Sequence, residues 1–213
     1  MMKRLSMFFL IVVLFVVVLT PKTGLADFVL PSGLQVLDDE SFLGTSVSGV
    51  VKLPSNIKRI GNRVFADSNI YALDLSDTNL ESIGSNLLGN QEIAYVITNT
   101  GINNNVSEDA FNGTHMLFGN QQWQAYAQRA EIPFININDL YPYEGFYYEI
   151  KNGIAKLLCP INAEELPETI TLPDSVNGCQ ITTLSDSAFF NSSQVLQILL
   201  PDSVGTIVRV RKN

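Results

Sequence analysis

The sequence has little of what catalysis, metal binding and nucleic-acid binding usually require. Its 213 residues include one histidine and two cysteines, and 21 acidic residues outnumber 13 basic ones, for a formal net charge of −8. A nucleic-acid-binding protein needs a basic face, which this composition does not supply. The sequence also has no phosphate-binding glycine loop, EF-hand loop or Ser-His-Asp spacing. We therefore predict no catalytic residues, no cofactor, no metal and no nucleic-acid partner.

Long apolar segments are also scarce, apart from one near the N-terminus. Lys3 and Arg4 precede an unbroken apolar run over residues 7–19, and the small residues Gly24 and Ala26 follow it. As a helix this run would cover about 20 Å, less than the roughly 30 Å of a bilayer core. We interpret residues 1–26 as a secretory signal peptide, with an uncleaved membrane anchor as the alternative. The chain is then expected to be secreted or at the cell surface, meeting a membrane only through this segment before cleavage.

The remaining chain repeats apolar side chains every 23 residues. Residues 53–65, LPSNIKRIGNRVF, match residues 30–42, LPSGLQVLDDESF, at their Leu, Pro, Ser, aliphatic and Phe positions. The period produces three apolar columns: Leu34, Ile57 and Leu80; Leu37, Ile60, Ile83 and Val106; Phe42, Phe65, Leu88 and Phe111. A fixed period of 20–29 residues with aliphatic anchors predicts a leucine-rich-repeat solenoid, in which each coil covers the apolar flank of the next.

One unit shows the local pattern clearly. Residues 70–80, IYALDLSDTNL, place Leu73, Leu75 and Leu80 at the leucine positions of the repeat consensus, with Thr78 where Asn is usual. The alternation of Leu73 and Leu75 predicts a short strand with one inward face.

The period breaks after the fourth unit. Apolar residues then follow at helical spacing: Trp123, Tyr126, Ala127 and Ala130. This spacing predicts an amphipathic helical cap near residues 121–130, followed by a strand over 132–137. Solenoids need caps because their last apolar layer would otherwise meet water. We therefore assign residues 27–138 to a first array of about four 23-residue units with a helix-strand cap.

A second array is predicted beyond a turn-rich linker, residues 139–145. The Asn152-Gly153 pair between two alternating stretches predicts a β-hairpin near residues 146–158. The repeat then resumes, with Leu184 and Phe189 as anchors, and stops before another Phe anchor or cap. We interpret residues 146–213 as the hairpin and an apparently truncated second array, whose uncapped C-terminus is expected to self-associate or fray.

The repeat units resemble a known family. The segments LPSNIKRIGNRVFADSN, LPDSVNGCQITTLSDSAFFNSS and WQAYAQRAEIPFININ resemble the BspA-type leucine-rich repeats of exported bacterial surface proteins. The resemblance implies an α/β-type repeat solenoid that is right-handed, with short parallel strands along one side and mostly turns on the return path. It also implies an extracellular role in interaction, such as adhesion to host, matrix or cell-surface proteins. The family has no characteristic catalytic residues.

Single residues add two further hypotheses. Tyr143 and Tyr147 belong to a Tyr-rich segment that either seals the junction between the arrays, which we favour, or contacts a ligand such as a sugar. His115 is expected to be structural, and the sequence does not decide whether Cys159 and Cys179 form a disulfide. We therefore expect a non-enzymatic module that binds a protein partner, with a carbohydrate- or cell-wall-binding module as the alternative.

Overall fold

The computed structural model describes residues 28–99, 101 and 105–208. The predicted signal peptide, residues 1–26, and the last five residues of the predicted second array lie outside this range. In the part of the chain that is described, no helix is long and apolar enough to cross a bilayer.

The first array is a stack of coils whose strands form two parallel sheets. The described strands of this array are β1 Val36–Leu37, β2 Ser48–Lys52, β3 Arg59–Ile60, β4 Asn69–Asp74, β5 Ser82–Ile83, β6 Ile93–Ile97, β7 Thr114–Gly119 and β8 Phe134–Asn136. One sheet, here called the long sheet, has the order β2-β4-β6-β7-β8, and the other, the short sheet, has the order β1-β3-β5. This parallel solenoid confirms the predicted fold class.

The 23-residue period becomes the register of the short sheet. Leu37 is paired with Ile60, Ile60 with Ile83, and Ile83 with Val106 through a single parallel bridge. One apolar residue per coil therefore lies in a continuous internal row, as the spacing predicts. The aromatic column stacks in the same way, because the rings of Phe42 and Phe65 are 5.6 Å apart and nearly parallel.

A short helical cap closes the first array, as predicted. A 3₁₀ turn, Gln121–Trp123, leads into α1, Gln124–Arg129. Trp123 and Tyr126 are buried, and their ring centroids lie 6.1 Å and 5.8 Å from that of Phe111 in the last full coil. The cap thus covers the apolar layer that the fourth unit would otherwise expose.

The second array begins earlier than the sequence indicates. Its described strands are β9 Leu140–Tyr143, β10 Phe146–Lys151, β11 Ile154–Pro160, β12 Thr169–Thr171, β13 Ser175–Val176, β14 Cys179–Leu184, β15 Gln197–Leu199 and β16 Thr206–Ile207. The segment predicted as a linker is mostly β9, which pairs antiparallel with β10. Turn-forming residues suggested a loop, but Pro142 is compatible with an edge strand, and Tyr141 packs into the core of this array.

The predicted hairpin is present and starts the second stack. β10 and β11 are antiparallel and joined at Asn152 and Gly153, both of which have positive φ, as a two-residue turn of this kind requires. β11, β14 and β16 then follow in parallel, and β12 pairs in parallel with β15. Leu157, Leu184 and Ile207 are consecutive partners, so a similar row recurs here, with Leu157 and Leu184 buried and Ile207 exposed.

The described residues form three apolar clusters. One fills the first array between its two sheets, and another fills the second array. The third lies between the arrays, where the outer face of the long sheet meets residues of the second array, including Leu158, Cys159 and Ala163. The long sheet is therefore buried on both faces, as parallel sheets usually are.

Candidate interaction surfaces

The repeat-core residues predicted from the columns lie inside the two stacks. In the first array, the residues that are buried are Leu37, Ile57, Ile60, Phe65, Leu73, Leu75, Leu80, Ile83, Leu88 and Phe111. Leu34, Phe42 and Val106 are partly buried against the same cluster. In the second array Leu184 is buried and Phe189 packs at the cluster edge. The fully buried members of this set cannot contact a ligand without unpacking a coil.

The outer face of the long sheet is aromatic. Tyr71, Tyr95 and Phe118 project from β4, β6 and β7, away from the core of the first array, and all three are buried. A repeat solenoid often uses such an extended sheet face for binding, and aromatic side chains concentrate binding energy. In this chain, however, the second array already occupies that face.

Hydrogen bonds fix the second array on this face. The Tyr71 hydroxyl donates to the Pro160 carbonyl over 3.0 Å, and the Tyr95 hydroxyl donates to the Ile161 carbonyl over 2.8 Å. Burial raises the pKa of both tyrosine hydroxyls, so they remain neutral donors near neutral pH. The second array therefore supplies both the apolar contacts and the hydrogen-bond acceptors of the aromatic face.

The two tyrosines predicted as ligand contacts lie in different surroundings. Tyr147 packs edge-on against Tyr95 and Phe118, with each pair of ring centroids 5.3 Å apart, so its ring is engaged between the arrays. Tyr143 lies on the edge strand β9 and is exposed. Of the two, Tyr143 alone presents its ring to solvent.

His115 joins the two arrays at the rim of their contact. Its Nε2 lies 3.3 Å from Glu92 Oε2 of the first array, and its Nδ1 lies 3.3 Å from Ser187 Oγ of the second. Glu92 is one repeat period, 23 residues, away, whereas Ser187 is 72 residues away in the other array and could not be identified from the sequence.

A serine, a histidine and a carboxylate in contact resemble the parts of a hydrolytic triad, but this arrangement is closed to a substrate. Ser187 is only 2% exposed, and the ring of Phe190 lies against the imidazole with centroids 4.4 Å apart. A nucleophile must reach the substrate, and this hydroxyl is covered. The cluster is arranged to hold the arrays together.

The short sheet carries a polar exposed surface. We define the polar face as the exposed side chains Gln35, Asp39, Arg59, Asn62 and Glu81, which flank β1, β3 and β5. The Asn62 backbone N–H and side-chain amide donate to the two oxygens of Asp39 over 2.7 Å and 3.0 Å. These bonds lower the pKa of Asp39, so the carboxylate is ionised and held in place.

Other acidic residues also have structural partners. Glu40 accepts a hydrogen bond from Arg63 Nε over 3.2 Å, and Glu165 accepts one from the Asn162 side chain over 3.0 Å. Within the described residues, no group of three or more His, Cys, Asp or Glu side chains could hold one metal ion.

The two cysteines are free thiols in different environments. Cys159 is buried between the arrays, and burial raises the pKa of its thiol. Cys179 is partly exposed and belongs to the core cluster of the second array. The question that the sequence left open is answered by this placement, in which the two cysteines are separate side chains.

Comparison with known proteins supports the assignment of the repeats. Residues 21–120 match the sequence profile described as BspA type leucine rich repeat region, in six copies. These residues form a BspA-type leucine-rich-repeat region. No curated protein and no solved structure matches the chain. Proteins with BspA-type repeats are generally exported or surface proteins of bacteria, and such repeats generally serve as interaction scaffolds.

Proposed function

We propose that this BspA-type repeat protein is an exported recognition module that binds a protein partner at or outside the cell surface, without catalysing a reaction. The observation that supports this most directly is the division of its surfaces. The aromatic face of the long sheet is filled by the second array, whereas the polar face remains open along the stacked coils.

Charge on the polar face favours a protein as the partner. The polar face carries charges of both signs, because Asp39 follows β1, Arg59 begins β3 and Glu81 precedes β5. A protein surface with charges of the opposite signs would be complementary to it, and such complementarity fixes register more than it adds affinity.

The test is a binding measurement with purified matrix and cell-surface proteins. We expect Arg59→Glu to weaken binding of the captured partner at least tenfold, about 1.4 kcal/mol, because it reverses the positive charge of the polar face. Lys151→Glu is the matched control, since Lys151 is exposed on β10 outside the polar face, and it should bind as the wild type does. Equal affinity of both variants, or turnover of a substrate by the purified chain, would reject the proposal.

A second candidate function rests on Tyr143 alone. Its exposed ring on an edge strand could stack on a sugar, as in a carbohydrate- or cell-wall-binding module. On a glycan array, Tyr143→Ala should then abolish the signal, whereas Tyr143→Phe should keep it because the ring is retained. Glycan binding that survives Tyr143→Ala would exclude this residue as the contact.

A further inference from the structure

The second repeat unit carries positive charge in an otherwise acidic chain. Residues 53–75 contain three basic and two acidic side chains, whereas the units over 30–52, 76–98 and 99–121 each contain more acidic than basic ones. The three basic residues are Lys58, Arg59 and Arg63. Because the whole chain has a net charge of −8, attraction of an anionic group to the first array has to arise locally, and the second unit supplies it.

The register of the short sheet leaves Arg59 without a carboxylate beside it. Arg59 is the exposed residue of β3, and its partners on the neighbouring strands are the uncharged Val36 and Ser82. Lys58, the preceding residue, is partly exposed. In the part of the chain that the structure describes, the ion pairs include neither Lys58 nor Arg59. Both cations can therefore meet a partner without loss of an intramolecular ion pair.

The third cation of the unit is already engaged. Arg63 Nε lies 3.2 Å from Glu40 Oε1, and Arg63 Nη2 lies 3.8 Å from Asp67 Oδ2. A carboxylate from a partner would have to replace these contacts at Arg63, whereas it displaces no ion pair at Lys58 or Arg59. We call Lys58 and Arg59 the cationic pair, and it is the part of this unit whose positive charge is free.

We infer that the cationic pair binds an acidic segment of the protein partner, in which neighbouring Asp or Glu side chains meet Arg59 and Lys58. The inference rests on the proposed function, in which the polar face binds a protein, and it adds the charge that the partner presents. The planar guanidinium of Arg59 can form two parallel hydrogen bonds with one carboxylate. The ammonium of Lys58, on the adjacent residue, binds a second carboxylate as a point charge.

The acidic residues around the cationic pair favour a short peptide segment over a long polyanion. Heparin-like polysaccharides and nucleic acids bind to clusters of basic residues. Here Asp38 and Asp39 lie on the preceding coil and Glu81 on the following one, and all three are exposed. A polyanion lying along the stack would meet these like charges, whereas two neighbouring carboxylates of a peptide would meet the cationic pair alone.

Fluorescence anisotropy of short labelled peptides with the whole chain tests the inference. The probes are a peptide of alternating Glu and Gly, its counterpart of Lys and Gly, and labelled heparin. We expect the wild type to bind the acidic peptide, and the double variant Lys58→Gln/Arg59→Gln to bind it roughly tenfold or more weakly, about 1.4 kcal/mol. Arg59→Lys should weaken binding less than Arg59→Gln, because it keeps the charge but loses the planar fork.

The double variant Lys151→Gln/Lys156→Gln is the matched control. It removes the same number of positive charges from β10 and β11, so its net charge equals that of the test variant, and it should bind the acidic peptide as the wild type does. Circular dichroism checks that each variant is folded. Equal losses in the two double variants, no binding of the acidic peptide by the wild type, or tighter binding of heparin or of the basic peptide would overturn the inference.

Competition separates this inference from the proposed function. The acidic peptide should displace the captured protein partner from the wild-type chain. A partner that depends on Arg59 but is not displaced by the acidic peptide would overturn the acidic-segment inference and leave the proposed function in place. If the acidic peptide binds through the cationic pair but no matrix or cell-surface protein is captured, the proposed function fails although the charge preference stands.

Discussion

Gly61 and Gly84 occupy the same position in successive coils, where the backbones approach too closely for a side chain. A Cβ built on Gly84 would lie 2.5 Å from the carbonyl carbon of Gly61 and 2.6 Å from its oxygen. These contacts are with backbone atoms, which cannot move aside as the end of a flexible side chain can. The spacing of the coils at this corner therefore depends on glycine.

We expect Gly84→Ala to lower the free energy of unfolding by about 1–3 kcal/mol, the usual cost of overpacking. Urea titration followed by circular dichroism measures it. Gly33→Ala is the matched control, because a Cβ there would meet nothing within 4 Å, and its stability should change little. Equal stability of the two variants would show that the coils can separate slightly without cost.

Asp109 ends a row of polar contacts between coils and makes stability depend on pH. Its carboxylate accepts hydrogen bonds from Ser107 Oγ and Ser85 Oγ, each over 2.7 Å, and these bonds lower its pKa. A carboxyl group with a lowered folded-state pKa stabilises the fold above its unfolded-state value of about 3.9, and this contribution is lost as pH falls through the folded-state pKa.

We therefore expect Asp109→Asn to be less stable than the wild type at pH 7, with the difference shrinking as pH falls below about 4. Thermal melts at several pH values measure the difference. Asp202→Asn, at an exposed position, should stay within about 0.5 kcal/mol of the wild type at pH 7. If the difference in stability between the wild type and Asp109→Asn were the same at every pH, the assigned role of Asp109 would be contradicted.

At the scale of elements, the helical cap decides whether the first array ends in a closed layer. α1 is only six residues long, so an isolated helix of this length would not be stable in water. Its stability comes from the aromatic contacts of Trp123 and Tyr126 with Phe111. The Tyr126 hydroxyl also donates to the backbone carbonyls of Ser107 and Glu108.

Tyr126→Ala should destabilise the fold by about 3 kcal/mol, because it removes a buried aromatic side chain. Trp123 is the single tryptophan, so its fluorescence should shift to longer wavelength as the cap opens to water. Gln128→Ala changes an exposed position of the same helix and should leave both stability and fluorescence unchanged. Unaltered fluorescence in Tyr126→Ala would mean that Trp123 is held independently of the tyrosine.

At the scale of the whole molecule, the contact between the arrays determines which surfaces are available. The second array lies on the aromatic face of the first, through Tyr71, Tyr95 and Tyr147, with His115 at the rim. Neither array can unfold without exposing this aromatic surface. The two arrays should therefore unfold as one cooperative unit, and ligands should bind to surfaces outside the contact.

Tyr147→Ala should lower the stability of both arrays together. Tryptophan fluorescence reports the first array, and hydrogen exchange of β10, β11 and β14 reports the second. Their unfolding midpoints should coincide in the wild type and shift together in the variant. Tyr143→Ala, a change on the same sheet at an exposed position, should leave the midpoints in place. Two separate transitions in the wild type would contradict a single unit.

The sequence by itself determined the repeat. Leu37, Ile60 and Ile83 recur every 23 residues, and a side chain that must cover the next coil has to recur at the length of one coil. The cap and the hairpin were predictable for the same kind of reason, because helical spacing around Trp123 and the Asn152-Gly153 pair are local signals. The segment 139–145 was not recognised as β9, since Pro142 and the turn-forming residues around it outweighed a weak alternation.

Only the tertiary structure decided which surfaces meet. The run Ile93–Ile97 is apolar at every position, which is compatible with burial on both faces of a strand, but it does not reveal what covers the outer face. Tyr71 and Tyr95 reach their acceptors across 89 and 66 residues of chain. A period of 23 residues predicts contacts between neighbouring coils, but it does not predict contacts between residues so far apart in the sequence. The position of the second array therefore follows from the shape and polarity of the assembled aromatic face.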